Sequence, residues 1–225
     1  VRPTVEGRPL FCVGLAAEAR LLEGLPGRVV ASYGDPGAIE ASAVGMEGPP
    51  ACVISFGLCG GLDPALRAGD LVLSLEVMTA EGALSPRADV FERLALLLPD
   101  ARKGPMAGVD APLLTAVAKQ AARAATGAAA CDMESAAAAR LAIRLGAPFA
   151  AVRAVSDGVD DDLPPLALVA LDQSGRLRPG VIAAGLLRRP GAIAGLVGAG
   201  IRTAAAFRAL RRARGALEAL APPQG

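Results

Sequence analysis

Short apolar runs alternate with Ala-rich helical stretches along most of this chain, and that alternation restricts the fold more than any other feature. Residues 10–15 (LFCVGL) form one run, and 16–25 reads as a helix behind it. Residues 28–32 make a second short strand before the turn Gly34-Asp35-Pro36-Gly37. The run 51–56 (ACVISF) ends in the glycine loop 57–61, and 71–75 follows the Gly69-Asp70 turn. Helical patterns cover 90–98, 112–123 and 133–145, with a strand at 103–108, and the run 149–155 (FAAVRAV) ends at Ser156-Asp157. Short apolar runs bounded by Gly, Pro and Asp read as buried strands, and intervening helices make the sheet mostly parallel. The expectation is a layered α/β fold. The 225 residues suffice for one such domain with a sizeable core. Aromatics are 3% with no Trp, so Ala, Leu and Val must fill that core.

The chain has no histidine. Ser-His-Asp and Cys-His catalysis, histidine proton shuttles and histidine-ligated metals are excluded. Acid–base chemistry falls to Asp, Glu, Lys, Tyr or Cys. Of the 23 basic residues only Lys103 and Lys119 are lysines. Cys12, Cys52, Cys59 and Cys131 form no C-x-x-C pair and are expected as buried free thiols, with neither a metal site nor a disulfide framework.

The net charge of +1 hides an asymmetry. From Arg176 onward there are nine arginines and one acid, Glu218, a net +8 that leaves −7 on the first 175 residues. The expected organisation is a catalytic domain over 1–175 and a basic, apolar helical extension over 176–225. Residues 192–220 can form one helix with Phe207, Leu210, Leu217 and Leu220 on one side. Arg208, Arg211 and Arg212 lie opposite, Arg214 breaks the pattern, and Ile201 falls on the arginine side. Such a segment is either a helical lid with a solvated basic face or a docking element for a surface partner. The longest uncharged run, 48–62, has fifteen residues and two prolines, short of the 18–20 or so that a span needs. No secretory leader is recognisable, so a cytoplasmic protein is expected.

Functional residues in open α/β sheets gather at the carboxyl ends of strands. Here those ends carry Glu18, the glycine loop 57–61 and Ser156-Asp157, while Asp132-Met133-Glu134 stands at a helix start. Each has a bland alternative: a first-turn helix acid for Glu18 and Glu134, an N-cap for Asp132, a cap on the next segment for Asp157. The glycine loop is neither G-x-G-x-x-G nor a P-loop. Gly195 to Gly200 (GLVGAG) sits in a helical stretch and reads as a close-packing surface.

The combination is more specific than its members. Gly14-Leu15-Ala16-Ala17-Glu18-Ala19, Ile54-Ser55-Phe56-Gly57-Leu58-Cys59-Gly60-Gly61-Leu62, Gly69-Asp70-Leu71-Val72, Asp132-Met133-Glu134-Ser135-Ala136-Ala137 and Val152-Arg153-Ala154-Val155-Ser156-Asp157 occur in that order. This resembles the nucleoside phosphorylase and nucleosidase superfamily, which contains methylthioadenosine/S-adenosylhomocysteine nucleosidase and the hexameric purine nucleoside phosphorylases. The resemblance spans about residues 10–160 and leaves the tail outside. Leu163-Pro164-Pro165, the 107–112 segment and the basic tail resemble more closely the hopanoid-associated branch, which acts on adenosylhopane.

The resemblance implies a three-layer fold: a central twisted mixed sheet flanked by helices, with a C-terminal helical extension. It implies N-glycosidic cleavage of an adenosine-type nucleoside with release of adenine. Asp157 matches the family's general acid and Ser156 its neighbour, and Glu18 matches the carboxylate that activates water. Glu134 matches the acceptor of the ribose hydroxyls, Met133 an apolar ribose contact, and Gly57, Gly60 and Gly61 the backbone that approaches the nucleoside. Asp160, Asp161 and Asp162, if close in space, would favour a protonated Asp157. Phosphorolytic members place an arginine and a serine on phosphate where this chain has Ser55 and Leu58. Hydrolysis is therefore expected over phosphorolysis, with inorganic phosphate as the alternative co-substrate and no other cofactor. A lipid nucleoside would place the enzyme at an anionic membrane surface through its tail. Homo-oligomers are common in the family, and nucleic acid is not an expected partner of an acidic body without interleaved aromatics.

Overall fold

The structure, a computed structural model, describes residues 7–44, 46, 48–164, 166, 178, 180, 184 and 192–220. Its strands are β1 (Leu10–Val13), β2 (Arg28–Ala31), β3 (Val53–Gly61), β4 (Leu71–Ser74), β5 (Val77–Thr79), β6 (Gly82–Leu84), β7 (Arg102–Lys103), β8 (Met106–Gly108), β9 (Ala130–Asp132) and β10 (Phe149–Asp157). Its helices are α1 (Ala16–Leu21), α2 (Gly37–Ala41), α3 (Asp89–Leu97), α4 (Ala116–Thr126), α5 (Ser135–Leu145) and α6 (Ala192–Glu218).

The strands form one sheet in the order β6-β5-β8-β9-β3-β10-β4-β7, with β1 added to β3 and β2 to β1. The sheet is mixed. β3 runs parallel to β1 and β10, whereas β10 meets β4, β3 meets β9 and β5 meets β6 antiparallel. The mostly parallel sheet expected from the alternation thus gains antiparallel members, because β6 and β9 are only three residues long and carry no apolar run of their own. The hairpin β5–β6, strand β9 and helix α2 were not legible for the same reason of length.

The largest departure concerns the glycines. Residues 57–61 are not a loop; they continue β3 to Gly61. One edge of β3 is covered along its length by β10. The other edge is shared: β1 pairs with Val53, Ile54 and Ser55, and β9 with Gly60 and Gly61. Between them β3 has no strand partner on that edge among the described residues, so the sheet forks there.

Two cores flank the sheet, as period-2 alternation requires. Val53, Cys59, Phe149, Ala151 and Val155 face α2 and α5. Ile54, Phe56, Ala150, Val152 and Ala154 face α1, α3 and α6. Over its described residues the C-terminal extension is a layer of this second core: Ala206, Ala209, Leu210, Ala213, Leu217 and Leu220 are buried and Phe207 partly so. Arg208, Arg211 and Arg212 are exposed, as the wheel predicts. Arg214 breaks that pattern because its guanidinium donates to the Leu21 and Glu23 carbonyls at 2.7 and 2.8 Å, closing the end of α1. Residues 167–177 and much of 179–191 lie outside the described residues.

Ala209 is fully buried against the sheet. Ala209→Leu is expected to overpack this layer and cost about 1–3 kcal/mol, read as a lower urea midpoint at unchanged m-value. All four cysteines are buried and free. Burial pushes the Cys12, Cys52 and Cys131 thiols up to about 12, so they do not act as acid–base groups near neutrality. No described helix is long and apolar enough to cross a membrane.

Candidate functional site

The fork beside β3 is filled by a carboxylate. Glu18 sits on the first turn of α1, just past the end of β1, and is buried. Its Oε2 accepts from the Gly14 and Leu15 amides at 2.8 and 2.9 Å. Its Oε1 accepts from the Leu58 amide at 2.8 Å, on the unpaired edge of β3. The side chain therefore takes the place of a ladder partner. A Cβ at Gly57 would stand 2.5 Å from Glu18 Oε1, so only glycine lets the carboxylate approach the strand this closely. Burial raises the Glu18 pKa, while Arg153 and the three amide donors oppose that rise.

Arg153 organises the acids around it. Alternation along β10 turns it to the α5 side of the sheet, where it is fully buried. It pairs in register with Gly57. Its Nε ion-pairs with Asp132 Oδ2 at 2.7 Å, and Nη1 lies 3.3 Å from Glu134 Oε2 and donates to the Leu58 carbonyl at 3.2 Å. Nη2 donates to Ser55 Oγ at 2.5 Å. Asp132 has a second role: it accepts from the amide and hydroxyl of Ser135 at 3.2 and 2.6 Å, capping the start of α5. Glu134 accepts from Ser32 Oγ at 3.3 Å, and a Cβ on Gly14 would lie 2.8 Å from its Oε1. Gly14 thus separates Glu18 and Glu134 by a backbone's width. Burial first, then the like charges of Asp132 and Glu18, push Glu134 up to about 7 against the pull of Arg153.

Asp157 lies further along the same strands. The β3–β10 register shifts between Val155 and Asp157, so Ser156 is a bulge and Asp157 faces Gly60. Bulges beside active sites re-aim a side chain in this way. Ser156 Oγ donates to Asp157 Oδ1 at 2.6 Å. A Cβ on Gly60 would stand 3.4 Å from Asp157 Oδ2, so this glycine too keeps space in front of a carboxylate. Gly60 lies three residue steps beyond Gly57 along β3, a rise of roughly 10 Å.

The three acids expected to press on Asp157 are engaged elsewhere. Asp160 accepts from Gln120, Asp161 from the Gly158 amide at 2.8 Å, and Asp162 from the Ala116 amide at 2.8 Å. The charge in contact with Asp157 is instead the buried ammonium of Lys119, from α4. The expected acidic neighbours of Asp157 are thus replaced by a cation in contact with it. No group of three or more described His, Cys, Asp or Glu residues is placed to hold a metal ion.

Residues 37–176 match the family model of the phosphorylase superfamily, more than half of the chain. The chain belongs to the phosphorylase superfamily. Solved structures extend the likeness to the whole fold of this superfamily member. A 5'-methylthioadenosine nucleosidase from Arabidopsis thaliana aligns at 20% identity and TM-score 0.63, covering 97% of each chain. The 5'-methylthioadenosine/S-adenosylhomocysteine nucleosidase of Helicobacter pylori, bound to butyl-thio-DADMe-Immucillin-A, aligns at 12% identity and TM-score 0.63, covering 96% of this chain and 98% of that one. The futalosine hydrolase of the same organism aligns at 14% identity and TM-score 0.55, over 67% and 88%. Comparison with curated proteins returns no match. Coverage of 96–97% includes α6, so the helix that the motif-level resemblance leaves outside is common to these folds.

The structure brings Glu18, Gly57, Glu134 and Gly60 to one stretch of β3, with Ser156 and Asp157 beside it. Met133 and Ser156 are half-buried, and Gly61 is buried against Val155. Arg153, Ser55 and Lys119 carry contacts that sequence reasoning did not assign. Arg153 had a signal, a charge in the middle of the apolar run 149–155. Lys119 had none: it is one of two lysines, on a helical stretch where a lysine is normally solvated.

Proposed function

We propose that this superfamily member hydrolyses the N-glycosidic bond of an adenosine-type nucleoside, releasing adenine. The observation that carries the reading is the Glu18 carboxylate pinned across the fork of β3, one strand segment away from Asp157. Cleavage passes through a ribosyl cation, and adenine leaves well only when protonated. An acid on the leaving base and a base on the attacking water are therefore needed. Asp157 takes the first role and Glu18 the second. Glu134 accepts from the ribose hydroxyls, Met133 packs on the ribose, and the backbone of Gly57, Gly60 and Gly61 lies along the nucleoside. Ser156 orients Asp157 through its 2.6 Å bond.

Water is favoured over phosphate because the cation nearest Glu18 is already engaged. Arg153 spends its guanidinium on Asp132, Glu134, Ser55 and the Leu58 carbonyl. A phosphate dianion there would compete with three buried carboxylates. Adenine release from methylthioadenosine is expected to proceed at the same rate without phosphate, with methylthioribose as the sugar product. Strict phosphate dependence with a sugar 1-phosphate product would overturn hydrolysis.

The resemblance to the hopanoid-associated branch names adenosylhopane as the substrate, and one surface feature supports a lipid-borne nucleoside. Val197 and Ile201 are 56% and 64% exposed on the same side of α6 as Arg208 and Arg211. Apolar tips beside arginines suit the boundary between anionic headgroups and acyl chains. Val197→Glu/Ile201→Glu is expected to lower binding to anionic liposomes and turnover of adenosylhopane, and to leave methylthioadenosine turnover unchanged. Equal liposome binding by the variant would remove the membrane reading.

A further inference from the structure

Lys119 is a buried cation that the proposed chemistry does not yet use. Its side chain is 1% exposed, and its ammonium pairs with Asp157 Oδ2 while donating to the Gly158 and Asp161 carbonyls at 3.0 and 2.8 Å. Two of its donors are on carbonyls, and the ammonium faces Asp157 Oδ2, which accepts no hydrogen bond among the described residues. The loop it grips is closed on itself, since Asp161 accepts from the Gly158 amide. The Cε of Lys119 and the Oδ2 of Asp157 both border the space over Gly60, at 4.0 and 3.4 Å from where a Cβ would stand. The other charged groups near Asp157 are remote or engaged: Asp132 is held by Arg153, and Cys59 and Cys131 are neutral thiols raised by burial.

The arrangement poses a chemical problem. The leaving base must receive a proton, and the Lys119 ammonium is the proton-bearing group in contact with Asp157. We propose that the proton comes from Lys119 and that Asp157 relays it. This rests on the reading of Asp157 as the acid. As the C–N glycosidic bond breaks, its electron pair passes to the base. Lys119 gives a proton to Asp157 Oδ2, and the Asp157 carboxyl passes one to the base nitrogen. Water adds to the ribosyl cation and loses its proton to Glu18. The products are adenine and the free sugar, with Lys119 neutral and Glu18 protonated until solvent returns a proton to one and takes it from the other. Only a lysine can do this, because arginine keeps its proton at any pH a protein survives.

The test compares Lys119→Arg, Lys119→Met and Asp157→Asn on two substrates, methylthioadenosine and p-nitrophenyl riboside, whose leaving group needs no proton. Both Lys119 variants are expected to lose about 100-fold or more in kcat on methylthioadenosine with little change in KM, and to keep near-normal kcat on p-nitrophenyl riboside. If Lys119→Arg keeps the methylthioadenosine rate while Asp157→Asn loses it, the lysine merely holds Asp157 in place and the relay is overturned. Loss on both substrates by both Lys119 variants also overturns it, since the site itself is then damaged. Full methylthioadenosine turnover by Asp157→Asn overturns the reading of Asp157, and the relay with it.

Discussion

Arg153→Met is expected to destabilise the protein by about 3–5 kcal/mol at pH 7.5, the cost of removing one partner from a buried ion pair. Typical domain stabilities are about 5–15 kcal/mol, so the variant should lose a large share of its stability. The reason lies in the charge count. Glu18, Asp132 and Glu134 are buried around one guanidinium. Removing it leaves three carboxylates with no cation and strips the donors from Ser55 and the Leu58 carbonyl. The loss should shrink as the pH falls. Burial already raises Glu18 and Glu134, and without Arg153 their protonated forms are favoured further. As the pH drops through their folded pKa values, each sheds its buried charge and the variant approaches the wild type. Urea unfolding at pH 5.5, 7.5 and 9 reads this directly. A midpoint at pH 7.5 equal to the wild type would mean that the carboxylates are neutral already and that the cluster is not held by charge.

That same cluster shows which parts of the site could be read from sequence. Glu18, Glu134 and Asp157 could be singled out because each follows an apolar run at a strand or helix boundary, where a helix-start or capping acid stands as readily, and only the order of the motifs around them favours a site. The strands carrying the largest apolar runs, β3 and β10, were legible for the same reason. What was hidden depends on tertiary placement. Gly57 to Gly61 has the composition of a loop, and it is a strand only because β10 pairs with it throughout and Glu18 substitutes for a neighbour in its gap. The tail helix was legible as an amphipathic element, with Leu210 and Leu217 inward and Arg208 and Arg212 outward. Its apolar side could face a membrane or a protein core, and periodicity is blind to that choice. Ala206, Ala209 and Ala213 decide it by fitting closely over β10. Lys119 was invisible because a helix-borne lysine is normally solvated, and only the fold brings it against Asp157.

Glu134→Gln is expected to separate stability from activity in opposite directions. Glu134 is pushed from the usual carboxylate value of 4.5 up to about 7. In the folded protein it holds its proton more tightly than in the unfolded chain. Between about pH 4.5 and 7 the folded state therefore binds more protons, and wild-type stability falls as the pH rises through this window. Above pH 7 the charge stays buried, at a cost on the order of 3 kcal/mol. Glutamine keeps the shape without that charge: its one acceptor oxygen can serve Arg153 Nη1 while its NH2 donates to the Ser32 hydroxyl. The variant should therefore be more stable than the wild type at pH 8 and gain nothing at pH 4. Activity should move the other way. On the proposed function an ionised Glu134 would accept from two ribose hydroxyls at once, whereas an amide offers a single acceptor oxygen. KM for methylthioadenosine is expected to rise about 10–100-fold at pH 8 through the loss of charge-assisted bonds, with a smaller effect on kcat. The wild-type kcat/KM should fall as the pH drops through about 7, and the variant should lack that part of the fall. Thermal unfolding and kcat/KM, followed across pH 5–9 for both proteins, test the two halves separately. A variant destabilised at pH 8 would show that the Glu134 charge supports the fold. An unchanged KM would show that it does not meet the ribose.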